Sequence, residues 1–330
     1  MNKTIEIGNI KAEANSKARG KMFAGSMASG IEITVPVIVA NGKYEGPVLW
    51  LNSCIHGDEI CGVYAVQQIM QELDTEQLHG AVIATLISNP LAYQGRTKLS
   101  VQDGGNLCDS FPGKKEGLPT EQIAYYLFEK IKEYATYLID YHSWGQYHDA
   151  KPYAVFKTCK DPIVSDLTEK MTMAFNSPLV CKLDITKKLD EPAPVGGAMD
   201  VNCQLAGIPS FMAEVGHAGW EEPQWVAFAK EGTYNIMRLF RMIPGDVVNV
   251  EHQTVLVRRE IIRCKTNGIV YMVAKPQHLV REGEIICRIV NVYGDLLEEV
   301  LAPRDIYPIS LRYEPTVNVG DRVAFVGSTN

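Results

Sequence analysis

The chain has 330 residues, enough for one large domain or two. Hydrophobic residues make up 46% and charged residues 22%, an ordinary globular composition, and the net charge of −7 comes with no basic run. That balance argues against nucleic acid as the main partner and gives no attraction to an anionic membrane surface. No apolar run approaches the roughly 20 residues that span a bilayer.

Residues 1–14 are polar and charged, so no signal peptide is expected. Residues 31–39 (IEITVPVIV) and 47–52 (PVLWLN) read as strands, the second almost wholly apolar. The chain then turns at His56–Asp58 and enters a helix over about 59–73. Residues 81–87 (AVIATLI) form another buried strand, closed by Asn89-Pro90. The stretch 94–117 is rich in Gly, Asp, Asn and Ser and reads as a long loop of the kind that carries function. Thr120 is the expected N-cap of a helix running to about residue 134. Strands are expected at 137–141, 152–157 and 210–215, and helices at 161–175 and 225–240. Strands alternating with helices predict an α/β fold whose mostly parallel or mixed sheet is covered on both faces. After Pro244-Gly245 the pattern changes to short β-like runs at 255–262, 268–273, 284–290 and 322–326, separated by Gly and Pro turns. Residues 1–249 are therefore read as the α/β domain and 250–330 as a small all-β domain. The eight cysteines form no CxxC pair, which fits reduced thiols in a cytoplasmic protein.

His56, Glu59 and His142 are the candidate metal ligands. A histidine and a glutamate three residues apart can reach one ion where a strand passes into a helix, and a histidine from another strand completes the set. Two imidazoles and one carboxylate suit a single zinc ion and leave a position open for water. Taken singly, each has a plainer explanation: a helix cap, a first-turn charge and a core histidine. Asp140, two residues before His142, would share its strand face and orient it, or would be a buried acid satisfied by backbone donors. Glu214 stands where a general base is wanted. His56, Asn89, His142 and Glu214 each follow an expected strand end, where sites gather in such sheets. Gly196-Gly197-Ala198-Met199 and Trp144, Trp220 and Trp225 are expected to frame the pocket, with His217 touching substrate and His148 peripheral.

At these residues the chain resembles the succinylglutamate desuccinylase and aspartoacylase family, a branch of the zinc carboxypeptidase-like fold. The matching pieces are His56-Gly57-Asp58-Glu59, Ser88-Asn89-Pro90, Asp103-Gly104-Gly105-Asn106-Leu107, Phe111-Pro112-Gly113, Asp140-Tyr141-His142-Ser143 and Glu214-Val215-Gly216. The β-rich tail resembles the family's barrel-like C-terminal domain. The resemblance implies a zinc-dependent hydrolase that removes an acyl group from the nitrogen of a small amine or amino-acid-like molecule. Zinc would activate water and polarise the carbonyl, Glu214 would move the proton, and Arg96 would steady the oxyanion from the loop after Asn89-Pro90. The β-rich tail would wall the mouth of the site or serve as a homo-oligomer interface.

One segment departs from the family. Where it usually reads Asn-Leu-Asn-Arg before Phe-Pro-Gly, this chain reads Asn106-Leu107-Cys108-Asp109. Asn106, Cys108 and Asp109 are the candidate substrate contacts of this loop. Cys108 and Asp109 replace a pair that grips a carboxylate. Arginine suits that task with two parallel donors, and aspartate repels the group instead. Like charges about 4 Å apart cost on the order of 4 kcal/mol at an effective dielectric near 20. The substrate is therefore expected to lack the usual α-carboxylate, unless Lys98, Lys114 or Lys115 supplies the grip or Asp109 only turns the loop. A zinc carboxypeptidase acting on small peptides and a non-catalytic metal-binding relative are the other readings.

Overall fold

The structure is a computed structural model that describes residues 1–145, 147–187, 196–217, 222–248 and 252–330. Its frame is a nine-stranded mixed sheet. In spatial order the strands are Thr254–Leu256, Leu179–Asp184, Tyr153–Thr158, Ser210–His217, Tyr137–Trp144, Tyr44–Ser53, His79–Thr85, Glu32–Asn41 and Ser16–Ser26. The central strands Ser210–His217, Tyr137–Trp144, Tyr44–Ser53 and His79–Thr85 run parallel, so their carboxyl ends open on one edge. The Tyr153–Thr158 strand is antiparallel to Ser210–His217, and the last two strands are antiparallel to their neighbours.

Side chains alternate across these strands, and the alternation builds two cores. Leu49, Leu51, Ile139, Tyr141, Phe211 and Ala213 face one way, under the helices Cys61–Glu72, Pro162–Ala174 and Pro223–Leu239. Trp50, Ala81, Ile83 and Leu138 face the other way, under the helices Pro119–Tyr134 and Met199–Leu205 and the N-terminal hairpin Ile5–Ile7/Ile10–Ala12. Helices thus cover both faces, as the strand–helix alternation predicts. The helix expected to be capped by Thr120 instead has Leu118 as its N-cap, with Pro119 in the first turn and Glu121 reaching back to the Leu118 N–H at 2.9 Å. Thr120 turns to Asp103, donating its hydroxyl at 2.7 Å and its amide at 2.8 Å.

The β-rich tail forms two four-stranded sheets, antiparallel in every pairing. They share a core that includes Cys287, Ile289, Val300, Leu311, Val323 and Val326. The tail is thus all-β as expected, and among the described residues no strand pairing joins one sheet to the other. The run expected as one strand over 255–262 is two: Thr254–Leu256 joins the large sheet beside Leu179–Asp184, and Arg258–Arg263 joins the tail. In the opposite direction, His148–Ala150 leaves the α/β part and pairs with Tyr307–Arg312. A further core of Tyr153, Val155, Leu179, Cys181, Leu256, Ile309 and Phe325 lies between the large sheet and the tail. The boundary drawn between 249 and 250 and the predicted pocket residue Trp220 lie outside the described residues.

Candidate metal centre and active site

Backbone geometry at the end of the Tyr44–Ser53 strand delivers two of the predicted ligands. Cys54 takes a left-handed conformation (φ 58°), and the chain folds back through His56 and Gly57. A Cβ on Gly57 would lie 2.0 Å from the Ala92 backbone, so no other residue fits there. The Glu59 amide donates to the His56 carbonyl at 3.2 Å, closing the turn that aims both side chains the same way. The following helix begins only at Cys61, with Ile60 as its N-cap and no side-chain cap. His56 is therefore not a helix cap, and Glu59 is not a first-turn charge. His142 arrives from the Tyr137–Trp144 strand, and Glu214 lies directly beside it in register on Ser210–His217. Asn52, Asp140, His142 and Glu214 occupy the same parity as Trp50 and Leu138, so all four project from the face that carries the Pro119–Tyr134 helix.

His56, Glu59 and His142 are buried, and their donor atoms lie within 4.8 Å of one another. His56 Nδ1 stands 2.7 Å from Glu59 Oε1, and His142 Nδ1 stands 3.0 Å from Glu59 Oε2. The far nitrogen of each ring also meets an oxygen: His56 Nε2 is 3.1 Å from Asn106 Oδ1, and His142 Nε2 is 3.1 Å from Asp140 Oδ2. A neutral imidazole has one N–H and cannot serve two acceptors. With Nε2–H given outward, each Nδ1 lone pair points at a carboxylate. Only a further proton on the ring or a cation between them relieves that arrangement. A divalent ion fits it, held by His56, Glu59 and His142, with Asn106 and Asp140 fixing the rings from outside.

Electrostatics tell the same story. Burial pushes the Glu59 carboxyl up, but His56 and His142 outweigh it and hold the group well below the usual range. Burial pulls His142 down, yet Asp140 and Glu59 more than offset this and raise it well above the ordinary histidine value. Asp140 is itself held by Asn52, whose Nδ2 donates to Asp140 Oδ1 at 2.8 Å. Asn52 Oδ1 accepts from Thr85 Oγ1 at 2.7 Å and from the Ser88 hydroxyl. Asp140 thus meets His142 as its place on the strand suggests, while the extension of this buried chain through Asn52 to Thr85 is new, its one signal in sequence being a lone asparagine in the apolar run PVLWLN. Lys157 was also missed: its ammonium donates to both Asp200 oxygens at 2.7 and 2.6 Å and ties the Met199–Leu205 helix to the sheet.

Glu214 is partly buried, and its Oε2 is enclosed with no hydrogen-bond partner among the described residues. Burial pushes its pKa up to about 7, helped by Glu59 and Asp140 and opposed by His142 and Lys98. Such a carboxyl is poised to take and return a proton near neutrality. Arg96 is exposed at the left-handed C-cap of the short helix Pro90–Gly95. The charge of Lys98, two residues on, acts on Glu214, Asp58 and His148.

Asn106, Cys108 and Asp109 form one turn. Asn106 Oδ1 accepts from the Cys108 amide at 3.2 Å, and its Nδ2 donates to Asp109 Oδ2 at 2.6 Å. Burial pushes the Cys108 thiol up to about 12, which keeps it protonated. Gly197 packs on the Asp109 backbone so closely that a Cβ would lie 2.0 Å from the Asp109 carbonyl oxygen. His217 sits edge-on to Trp225 at 4.7 Å, with Nδ1 3.8 Å from Asp149, and burial lowers its pKa. Trp144 packs between His148, Phe325 and the Arg322 guanidinium. It clamps the tail, and His148 is part of that clamp.

The family model for the succinylglutamate desuccinylase/aspartoacylase catalytic domain matches residues 45–240. The N-alpha-acetyl-L-2,4-diaminobutyric acid deacetylase of Halomonas elongata is 26% identical over 300 residues, covering 89% of this chain and 85% of that protein. Among solved structures, the product-bound ectoine utilization protein EutE (DoeB) of Ruegeria pomeroyi superposes with a TM-score of 0.83 at 24% identity, over 99% of both chains. A succinylglutamate desuccinylase/aspartoacylase from Rhodobacter sphaeroides gives a TM-score of 0.83 at 23% identity, over 97% of both chains. These superpositions show a shared fold.

Proposed function

The chain belongs to the succinylglutamate desuccinylase/aspartoacylase family, and on that premise we propose that it is a zinc-dependent amidohydrolase. It removes an acyl group from the nitrogen of a small amine or amino-acid-like molecule. The observation that carries this reading is the pair of histidine rings turned on Glu59, with the enclosed carboxyl of Glu214 beside His142 in register. His56, Glu59 and His142 hold the ion. When bound, a divalent ion polarises a carbonyl and makes water a stronger acid. Glu214 holds the proton that the attacking water gives up and delivers it to the leaving nitrogen. Asn106 and Asp140 keep the two rings in place throughout. Arg96 and Lys98, both in the loop after Asn89-Pro90, supply positive charge for the oxygen that becomes anionic.

The substrate is an acylated amine that lacks the usual α-carboxylate and carries a second basic nitrogen. Two acids supply partners for that nitrogen: Asp58 lies on the ligand turn, and Asp149 lies by His217. The Halomonas elongata relative is named for an acetylated diamino acid, a molecule with a free amine and a carboxylate. The amine agrees with the acids here, and the carboxylate has lost its arginine. The partner in this reading is a small N-acyl molecule; no described helix is long and apolar enough to cross a bilayer. Eight free cysteines support a reducing compartment such as the cytoplasm.

The test is a pair of amides that differ only in the carboxylate, N-acetylornithine and N-acetylputrescine, incubated with zinc-loaded protein while free amine is followed. Hydrolysis of N-acetylputrescine, absent with Glu214→Gln, is the expected result. Turnover of N-acetylornithine alone would mean that a cation replaces the missing arginine. Turnover of neither, with metal bound, would overturn the acylated-diamine assignment.

A further inference from the structure

The two candidate ligand rings are held from outside by unlike groups. His142 Nε2 meets a carboxyl group directly, Asp140 Oδ2 at 3.1 Å. His56 Nε2 meets a neutral amide, Asn106 Oδ1 at 3.1 Å. Behind that amide stands a carboxylate: Asn106 Nδ2 donates to Asp109 Oδ2 at 2.6 Å. We propose that Asp109 is a positioning residue for the metal centre, acting through Asn106 to orient His56 and strengthen it as a ligand. It does at one remove what Asp140 does in contact. The inference rests on the metal-centre reading above and deepens it.

Three features support the relay. The orientation of the Asn106 amide is fixed, because Oδ1 accepts from both His56 Nε2 and the Cys108 amide. Flipping it would set two donors against NH₂ and a carboxylate against an oxygen. The turn itself is anchored on both sides. Asp103 accepts from the Gly105 amide at 3.0 Å and from Thr120, and the Phe111 amide donates to the Gly197 carbonyl at 3.0 Å. Asp109 is exposed at its outer edge, yet its backbone is pinned under Gly197. Lastly, a carboxylate on the amide N–H pulls charge toward the amide oxygen, making Oδ1 a better acceptor for the His56 proton. The replacement of a cationic residue by Asp109 thus turns a substrate-facing position toward the metal.

The experiment reads metal affinity without substrate. The full-length metal-free protein is titrated with Co²⁺, followed by its visible absorption, and Zn²⁺ is measured by competition. Outer partners of metal-bound histidines typically contribute about 10–100-fold in affinity. Asp109→Ala, partly solvated and one bond removed, is expected to weaken Co²⁺ binding about tenfold. Asp109→Asn, which keeps an acceptor for Asn106 Nδ2, is expected to recover most of that loss. In an Asn106→Ala background, Asp109→Ala should cost nothing further, because its route to His56 is gone. Unchanged affinity in Asp109→Ala overturns the proposal, and so do additive losses in the double variant. A protein that hydrolyses no acylated amine but shows this coupling keeps the relay and loses only the substrate assignment. Normal deacylation with uncoupled metal affinity does the reverse.

Discussion

The two faces of the large sheet are built by alternate residues of the same strands and do opposite work. On one face Leu49, Leu51, Ile139, Tyr141 and Ala213 are sealed under three helices. On the other, the residues next to them in sequence, Asn52, Asp140, His142 and Glu214, form a polar line leading to the carboxyl end of the sheet. One strand thus serves as core wall and active-site floor, shifted by a single residue. The apolar face tolerates no charge. On the site face Asp140 and His142 are tied to each other and His142 to Glu59, while Glu214 Oε2 has no partner among the described residues.

The largest expected break in that comparison is Glu214→Gln. Loss of a positioned proton acceptor should cut kcat by about 10²–10⁴-fold with the metal still bound. Thermal unfolding of the metal-free variant at pH 8 should show no loss of stability, because an enclosed, unpartnered carboxylate is replaced by a neutral group. Turnover near the parent level would remove Glu214 from the chemistry. Next comes a matched pair on either side of one strand. Asp140→Ala should weaken zinc binding about 10–100-fold. Ile139→Ala should cost about 2–5 kcal/mol in denaturant unfolding while the folded fraction binds zinc as before. Equal effects on metal affinity from both would erase the distinction between the faces.

pH sharpens the same contrast. His142 holds its proton more tightly in the metal-free fold than in the unfolded chain. That proton stabilises the metal-free protein fully below the ordinary histidine pKa, and the stabilisation is lost as pH rises through the raised value. Metal must displace it, so affinity should climb with pH across this window by up to about tenfold per unit. Titration calorimetry in buffers of different ionisation heats should detect the proton released. No release would mean that His142 is neutral before metal arrives. The smallest effect is expected from Asn52→Ala, which leaves Asp140 beside His142 but unsupported. Zinc affinity should fall less than about tenfold, with about 1–3 kcal/mol of stability lost from the unpaired polar groups. A loss as deep as that of Asp140→Ala would mean that Asn52 is as decisive as the carboxylate it holds.

Much of this was legible in the chain. The apolar runs at 47–52, 81–87 and 137–141 announce the central parallel strands, and the motifs at their ends gather where such strands leave the sheet. His56, Glu59 and His142 do come together. What stayed hidden has physical reasons. The strand Ser16–Ser26 is an edge strand with exposed Lys17, Arg19 and Lys21, so it carries no apolar run. Thr120 looks like a cap in sequence, but Asp103 claims its hydroxyl across the loop. Asp109 reads as a substrate contact in sequence, and its bond from Asn106 stayed hidden because spacing shows where a residue lies in a motif and not which neighbour its carboxylate meets.

The exchange of strands between the two parts of the chain has a consequence for how the molecule comes apart. Thr254–Leu256 forms one margin of the large sheet, while His148–Ala150, six residues after His142, forms one margin of a tail sheet. Each part thus lends the other a rim, like two hands clasped by one finger apiece. Cutting the chain near residue 250 would bare the Leu179–Asp184 margin and leave His148–Ala150 without its strand partner. The molecule should therefore melt in a single calorimetric transition, and amide exchange in the tail should slow when metal binds.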